Sequence, residues 1–334
     1  MTDIIKKHKD FNYNRLTNSN VDIVYLWVTS RDKKWREKYK KYTNIDIDHS
    51  RLTDYDEIIF SLKTVDKFIP WINKIYIITD NQKPKLNKVP KKTRDKIIII
   101  DHKEIIPKKY LPVFNSEVIQ PFIWKIKNLS ETLIILDDDM FFGNYINMGD
   151  IFHCNHNVPK TYWKYKRYNK EHFEKNKNVS AIQSTYRTIQ LFHKKFKVLP
   201  NIRNIHVAYI LSKKTLETTF KIFKKELQKT FVNRTRKDNQ YKFFNLCAYV
   251  GIYYGFLKCT NPSYLNYKTY LFEGPKESKI EFEDILNSKP KFFLINRLND
   301  KTVKYFNKLD KNYLKQFKAD NSNLVKDINK KLKL

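Results

Sequence analysis

Residues 132–136, TLIIL, form a short apolar run rich in β-branched side chains, which breaks into Asp137, Asp138 and Asp139 before hydrophobic sequence resumes at Met140, Phe141 and Phe142. A run of this length and composition is what a strand buried in a parallel sheet shows. Three consecutive carboxylates cannot share a dry interior, because each buried charge needs a partner. They therefore belong at the strand's C-terminal end, where an open α/β sheet keeps its ligand crevice. Hard carboxylate oxygens in such a place suit Mg²⁺ or Mn²⁺ bridging to phosphates. Taken alone, three aspartates would read as an exposed acidic turn. This chain, however, has a formal net charge of +31, from 66 Lys+Arg against 35 Asp+Glu. An acid cluster on a strand end of so basic a chain calls for a functional reason.

Upstream, the pattern alternates between strand and helix. Residues 21–28 (VDIVYLWV) read as a first buried strand, 74–79 (KIYIIT) as a second and 96–100 (KIIII) as a third, ending at Asp101 and His102. Between the first two, Asp54, Asp56 and Glu57 suit the first turn of a helix, and Ile58, Ser61, Leu62, Val65 and Phe68 recur at helical spacing until Pro70. This order predicts an α/β domain with a mixed, mostly parallel sheet and helices outside. At 334 residues the chain is long enough for one large domain, or one domain and an accessory lobe. Only five glycines are present, and neither GxGxxG nor GxxxxGK[ST] occurs, so glycine-rich phosphate loops are excluded. Three irregularly spaced cysteines, Cys154, Cys247 and Cys259, do not make a disulfide framework and suggest a reducing compartment. His153-Cys154-Asn155-His156 lacks a second metal-ligand element and reads as a loop. No apolar run reaches transmembrane length and the N-terminus lacks a signal-peptide core. The expectation is a cytoplasmic protein, with peripheral contact on the inner face of an anionic membrane as one use of its charge.

The second half is less periodic. Residues 160–178 interleave Lys and Arg with Tyr162, Trp163, Tyr165, Tyr168 and Phe173. This is either a set of aromatic platforms for bases or sugar rings, or a solvated insertion. Residues 213–231 read as a helix with Leu216, Phe220, Phe223, Leu227 and Phe231 on one face. Residues 239–256 read as an aromatic helix and 291–295 (KFFLI) as a late strand. The expected organisation is a polar lead-in over 1–20, a catalytic domain over 21–299 with a basic aromatic insertion at 150–200, and a basic helical tail over 300–334.

Three stretches between residues 54 and 143 belong together: DYDEIIFSLKTVDKFIPWINKIYIITDNQKP, IIIIDHKEIIP and LPVFNSEVIQPFIWKIKNLSETLIILDDDMFFG. They resemble the second of four sequence blocks of the Stealth family of sugar-phosphate transferases. That family includes bacterial capsule-polymer hexose-1-phosphate transferases and the GlcNAc-1-phosphotransferase that marks lysosomal enzymes. The family's NDDM corresponds to residues 137–140, mapping its two aspartates to Asp138 and Asp139, and its LPTFNS maps to Asn115 and Ser116. In the first block DIVYxWVDGSD becomes DIVYLWVTSRD, which keeps Asp22, Trp27 and Asp32 but replaces the middle D-G-S by Thr29, Ser30 and Arg31. The third block's histidine, helix and R-x-x-x-D correspond to His206, residues 213–231, Arg234 and Asp238. The proline usual after that histidine is absent. The fourth block's asparagine-aspartate pair is blurred between Asn296 and Asn299-Asp300.

The resemblance implies a GT-A-like nucleotide-sugar-binding sheet and a reaction at phosphorus. A sugar-1-phosphate would pass from a nucleotide-sugar, of the UDP-GlcNAc kind, to a hydroxyl of a glycan acceptor. It implies Asp138 and Asp139 as metal ligands for Mg²⁺ or Mn²⁺, or one of them as the base, with His206 and Arg234 as further catalytic groups. Asp22, Trp27, Asp32, Asn115, Ser116 and Asp238 are implied as donor-binding residues, with His102, Asn296, Asn299 and Asp300 as additional candidates. Two other readings stay open: an ordinary GT-A glycosyltransferase using the same acidic strand end, and a basic nucleic-acid-binding protein. The acid cluster argues against the latter, so no specific nucleic-acid partner is expected.

Overall fold

In the computed structural model, which describes residues 20–46, 53–153, 158–165, 169–203, 205, 208–237 and 239–316, the apolar runs pair into one sheet. Strands β1 (Val21–Leu26), β2 (Ile75–Thr79), β3 (Ile97–Asp101) and β4 (Thr132–Asp137) lie in the order β4-β1-β2-β3, all parallel. The register brings Leu26, Ile78 and Asp137 to a common level, so the strands' C-terminal ends open on one edge. From β4 the chain turns through Asp138 and Asp139 into β5 (Met140–Phe142). A later strand, β6 (Tyr209–Ser212), joins the main sheet antiparallel to β4. The result is the mixed, mostly parallel sheet expected, consistent with a GT-A-like fold.

Alternate residues of each strand go to opposite faces, and both faces are covered. Ile23, Tyr25, Ile75, Ile77, Ile134 and Leu136 pack in one cluster, while Val24, Tyr76, Ile78, Leu133 and Ile135 pack in another. α1 (Lys33–Thr43) follows β1, capped by Asp32, and buries only Trp35 and Tyr39. α2 (Glu57–Phe68) lays Ile58, Leu62, Val65 and Phe68 against the first cluster. On the other face α3 (Ser180–Phe196), α4 (Lys213–Phe231) and α5 (Phe243–Tyr253) close the second cluster. In α4 the face read from sequence is the buried one: Leu216, Phe223 and Leu227 are at most 1% exposed. Aromatic contacts such as Phe220 with Trp124, 5.7 Å between centroids, join it to the helical turn Gln120–Lys125 that leads into β4. The helix expected over 239–256 is shorter, because Tyr241 N–H donates to Thr230 and Lys242 N–H to Thr188 before the helix begins.

A second, three-stranded sheet pins the acidic turn from its far side. β7 (Lys268–Leu271) pairs parallel with β8 (Phe292–Asn296), and β8 pairs antiparallel with β5. Ile295 N–H donates to the Asp139 carbonyl at 3.1 Å. Below the turn, Ser61 on α2 donates to the Met140 carbonyl at 2.6 Å and Thr64 accepts from Phe142 N–H. The three aspartates thus sit between two sheets, held by backbone hydrogen bonds. Among the described residues no helix is long and apolar enough to cross a membrane. Residues 1–19, and the part of the basic tail beyond residue 316, lie outside the described residues.

Candidate active site

The C-terminal edge of the sheet opens on a cleft of about 610 Å³. Asp137, Asp138 and Asp139 line it, the loop before α2 adds Asp54, and the first residue of α2 adds Glu57. Five carboxylates therefore meet in one cleft, and Arg236, Lys237 and Arg297 line the same space. Asp54 is held in place by donating backbone: Asp56 N–H reaches its Oδ1 at 2.8 Å. Glu57, buried at the start of α2, accepts Tyr55 N–H at 2.6 Å.

Crowding sets the electrostatics. Burial first, then the charges of Asp54 and Asp137, push the Asp138 carboxyl above the ordinary carboxylate range. Burial and the neighbouring Asp137, Asp138 and Glu57 do the same to Asp139, and burial with Asp138 to Glu57. Asp139 Oδ1 is buried without a hydrogen-bond partner. No three His, Cys, Asp or Glu side chains converge as a ready-made ligand set among the described residues. That does not argue against a hard divalent ion, which commonly takes one or two carboxylates and fills its shell with water and phosphate oxygens. The all-oxygen donor set, the unpartnered Asp139 Oδ1 and the repulsion within the cluster fit such an ion.

The other residues singled out from sequence separate into groups. Trp27, 4% exposed, lines the cleft, and its indole Nε1 lacks a partner. Ser116 and Asn296 also line it. His102 does too, buried, with burial lowering its pKa to about 4, so that it is neutral at physiological pH. Asn115 lies just behind the wall, fully buried. Its amide reaches the carbonyls of Asn233 and Thr235 at 3.3 and 3.2 Å and Gln240 Oε1 at 3.0 Å. It fastens the loop carrying Arg234 and Arg236 to the short helical turn Ser116–Ile119, which it caps.

Asp22 and Asp32 are engaged elsewhere. Asp22 sits at the opposite end of β1, completely buried, accepting from Asn73, Lys74 N–H and Ser130 N–H. It closes the sheet's N-terminal edge. Asp32 caps α1, accepting from the backbone of Lys34 and Trp35. Asn299 braces the carbonyls of Phe272, Glu273 and Arg297, and Asp300 accepts from the Tyr55 hydroxyl at 2.9 Å. Arg234 does not line the acidic cleft: its guanidinium lies over the Tyr42 ring at 5.2 Å and borders a separate hollow with Lys109 and Tyr110. Arg236, two residues on, points into the cleft and donates to Ser116 Oγ at 3.3 Å. His206 and Asp238 lie outside the described residues.

Sequence reasoning missed Asp54, Glu57, Arg236 and Arg31. Arg31, in the altered first block, donates through Nε to the Asp54 carbonyl at 2.6 Å and through Nη1 to Asp56 at 3.0 Å. Its neighbour Thr29 exchanges two 2.8 Å backbone hydrogen bonds with the Gln82 amide. Arg31 thus ties the first loop to the acidic one, and Thr29 ties it to the loop after β2. Arg31 and its two acidic partners stand 23 and 25 residues apart, and sequence gives no register across so long a connection.

Known proteins resemble this chain in sequence over most of its length. The family model described as Stealth protein CR2, conserved region 2, matches residues 51–160. The capsular polysaccharide phosphotransferase cps1A of Actinobacillus pleuropneumoniae is 32% identical over 248 residues, 72% of this chain and 67% of that protein. The capsular polysaccharide phosphotransferase LcbA of Aeromonas hydrophila is 32% identical over 228 residues, 66% of this chain and 62% of its own length. The capsular polysaccharide phosphotransferase fcs1 of Haemophilus influenzae is 29% identical over 303 residues, 86% of this chain and 81% of its own length. With a matched acidic block placed at the mouth of the sheet, and similarity running well beyond that block, the chain belongs to the Stealth family of sugar-phosphate transferases.

Proposed function

We propose that this protein transfers a hexose-1-phosphate, of the N-acetylhexosamine or hexose kind, from a nucleotide-sugar to a hydroxyl of a glycan acceptor in surface-polysaccharide synthesis. The observation that carries this reading is the acidic strand end, Asp137–Asp139, facing Arg236, Lys237 and Arg297 across one cleft. A pyrophosphate needs both kinds of charge nearby: cations for its non-bridging oxygens, and carboxylates to hold a metal or take a proton.

In the proposed reaction the acceptor oxygen forms a bond to the sugar-bearing phosphorus while the bond from that phosphorus to the nucleoside monophosphate breaks. The acceptor's proton passes to a carboxylate of the cluster. Raised proton affinity at Asp138, Asp139 and Glu57 brings these groups towards the range useful to a base near neutral pH. Arg236, with its planar guanidinium, suits bidentate contact to a phosphoryl group. We assign Mg²⁺ or Mn²⁺ to Asp138 and Asp139; when bound, the ion would offset charge on the phosphate oxygens. Trp27 and Ser116 shape the donor's side of the cleft. The donor we favour is a UDP-sugar, and the site of action the cytoplasmic face of the membrane, where the basic surface meets anionic lipid or polymer.

The test is a panel of nucleotide-sugars offered with a surface-polysaccharide fragment, with Mg²⁺, with Mn²⁺ and with chelator. Acceptor-dependent nucleotide release that requires a divalent ion supports the reading. Release that persists unchanged in chelator removes the metal assignment, and no release with any donor removes the transferase assignment.

A further inference from the structure

Beside the acidic cleft lies a second cavity of about 480 Å³, and the two share Ser116, Asp137 and Arg236. One wall comes from β6 and α5, with Tyr209, Phe244, Asn245 and Tyr249. The other comes from α3, with Thr185, and from the short helix Lys170–Lys175 before it, with His172 and Phe173. Phe173 is part-exposed, and its ring is stacked on Tyr186 at 4.8 Å, so its orientation is set before anything binds. Glu117, buried at the base, is matched by Lys242 Nζ at 3.0 Å and by Phe243 N–H at 3.0 Å, which leaves little net charge there.

Gln120 carries the chemical hint. It lines this cavity, is 7% exposed, and its Oε1 has no hydrogen-bond partner. A buried amide oxygen left unpaired is costly, and Gln120 stands in the wall of this cavity, where a ligand's donor group would relieve it. Aromatic faces alternating with amide and hydroxyl groups fit a sugar ring, which has apolar C–H faces and hydroxyl donors around its edge. The cavity's size is within the range of small-ligand sites.

We propose that this cavity is the acceptor subsite, holding the terminal sugar ring of a glycan so that one hydroxyl enters the acidic cleft beside Asp137. The inference rests on the phosphotransfer reading above. Two substrates must meet at one phosphorus, and the nucleotide-sugar fills the larger cleft. The acceptor has to arrive through a space continuous with it. The two cavities adjoin at Ser116, Asp137 and Arg236, which line both.

Two substitutions at accessible lining positions test it from opposite directions. Ala181, exposed at the start of α3, becomes a plug as Ala181→Trp, and Phe173→Ala removes the stacking face. The probes are short oligosaccharides from a partial acid hydrolysate of the source strain's surface polysaccharide, followed by saturation-transfer NMR, and UDP, followed by calorimetry. The expected result is saturation of the terminal ring in the unaltered protein, with oligosaccharide affinity about tenfold weaker or worse in both variants. UDP titrates all three proteins alike, which also shows the variants to be folded. Undiminished oligosaccharide binding in both variants, displacement of the oligosaccharide by UDP, or no saturation in the unaltered protein overturns the proposal. Binding is read without turnover, so a product with a plain glycosidic bond would defeat the phosphotransfer reading and leave this titration to judge the cavity.

Discussion

Asp139 keeps one buried carboxylate oxygen without a donor while Asp137, Asp138 and Glu57 crowd it. Such a turn survives because the backbone around it is fixed by Ser61, Thr64 and Ile295 rather than by the side chains themselves. Asp138→Asn and Asp139→Asn should therefore fold normally and lose activity, by on the order of 10²-fold or more in kcat, as removal of a charge-stabilising group does. Steady-state kinetics with a thermal melt on each variant checks this; near-normal turnover in both removes them from the site. The same crowding makes stability depend on pH. These carboxyls are raised above their unfolded values, so the native state holds extra protons, and that stability is lost as pH rises through the folded values. His102 acts oppositely: with a folded pKa of about 4, its contribution is lost only as pH falls below the unfolded value of ~6.5. Above pH ~6.5 the carboxylates act without that opposition. In metal-free protein Tm should fall as pH rises from neutral to mildly alkaline, and Asp138→Asn should flatten that slope. A Tm that climbs with pH over this window contradicts the assignment.

At the scale of elements, the site is built by tying irregular loops to a rigid edge, and Asn115 is the clearest tie. It joins the helical turn after residue 115 to the loop bearing Arg236, through contacts to Asn233, Thr235 and Gln240. Asn115→Ala removes the donor to two part-buried carbonyls and one of the two donors to the buried Gln240 Oε1, at a cost of about 1–3 kcal/mol. Chemical denaturation should show a loss of that size, and the freed loop should lower kcat/KM even at temperatures where the protein stays folded. An unchanged denaturation midpoint would show the tie to be dispensable. The regular elements were legible in the sequence for plain reasons: β1, β2 and β4 are mostly apolar runs, broken in β1 only by Asp22, and α4 repeats its apolar residues at helical spacing. α1 was not, since a helix that buries only Trp35 and Tyr39 among lysines has almost no apolar period to read. Asp138 and Asp139 were legible because charge interrupts a buried strand. Asp54 and Glu57 read as ordinary acids of a helix's first turn, and it is the packing of α2 on β5, through Ser61 and Thr64, that brings that turn beside the aspartates. The choice between Arg234 and Arg236 is set in an irregular loop, where neighbouring side chains follow no period. Asp22 and Asp32 stand in a matched block yet serve the sheet edge and the α1 cap.

Over the whole molecule, a chain of net charge +31 concentrates five carboxylates in one cleft. A strongly basic exterior would draw in an anionic polymer, while the acid cluster inside would demand a cation before phosphate can enter. Long-range attraction of this kind is screened by salt. Raising ionic strength from about 50 mM to about 200 mM should raise KM for a long, phosphate-bearing acceptor and leave KM for a short neutral one nearly unchanged. Equal salt response for both would mean that the surface charge does not steer the acceptor. The central claim is that the bond broken lies at phosphorus and not at the sugar's anomeric carbon. The direct measurement is to quantify the spent nucleotide by anion exchange and to record the ³¹P NMR spectrum of the purified product. Phosphotransfer from a UDP-sugar gives UMP, one per sugar transferred, and a phosphodiester resonance in the product; UDP, with a product that contains no phosphodiester, would contradict it.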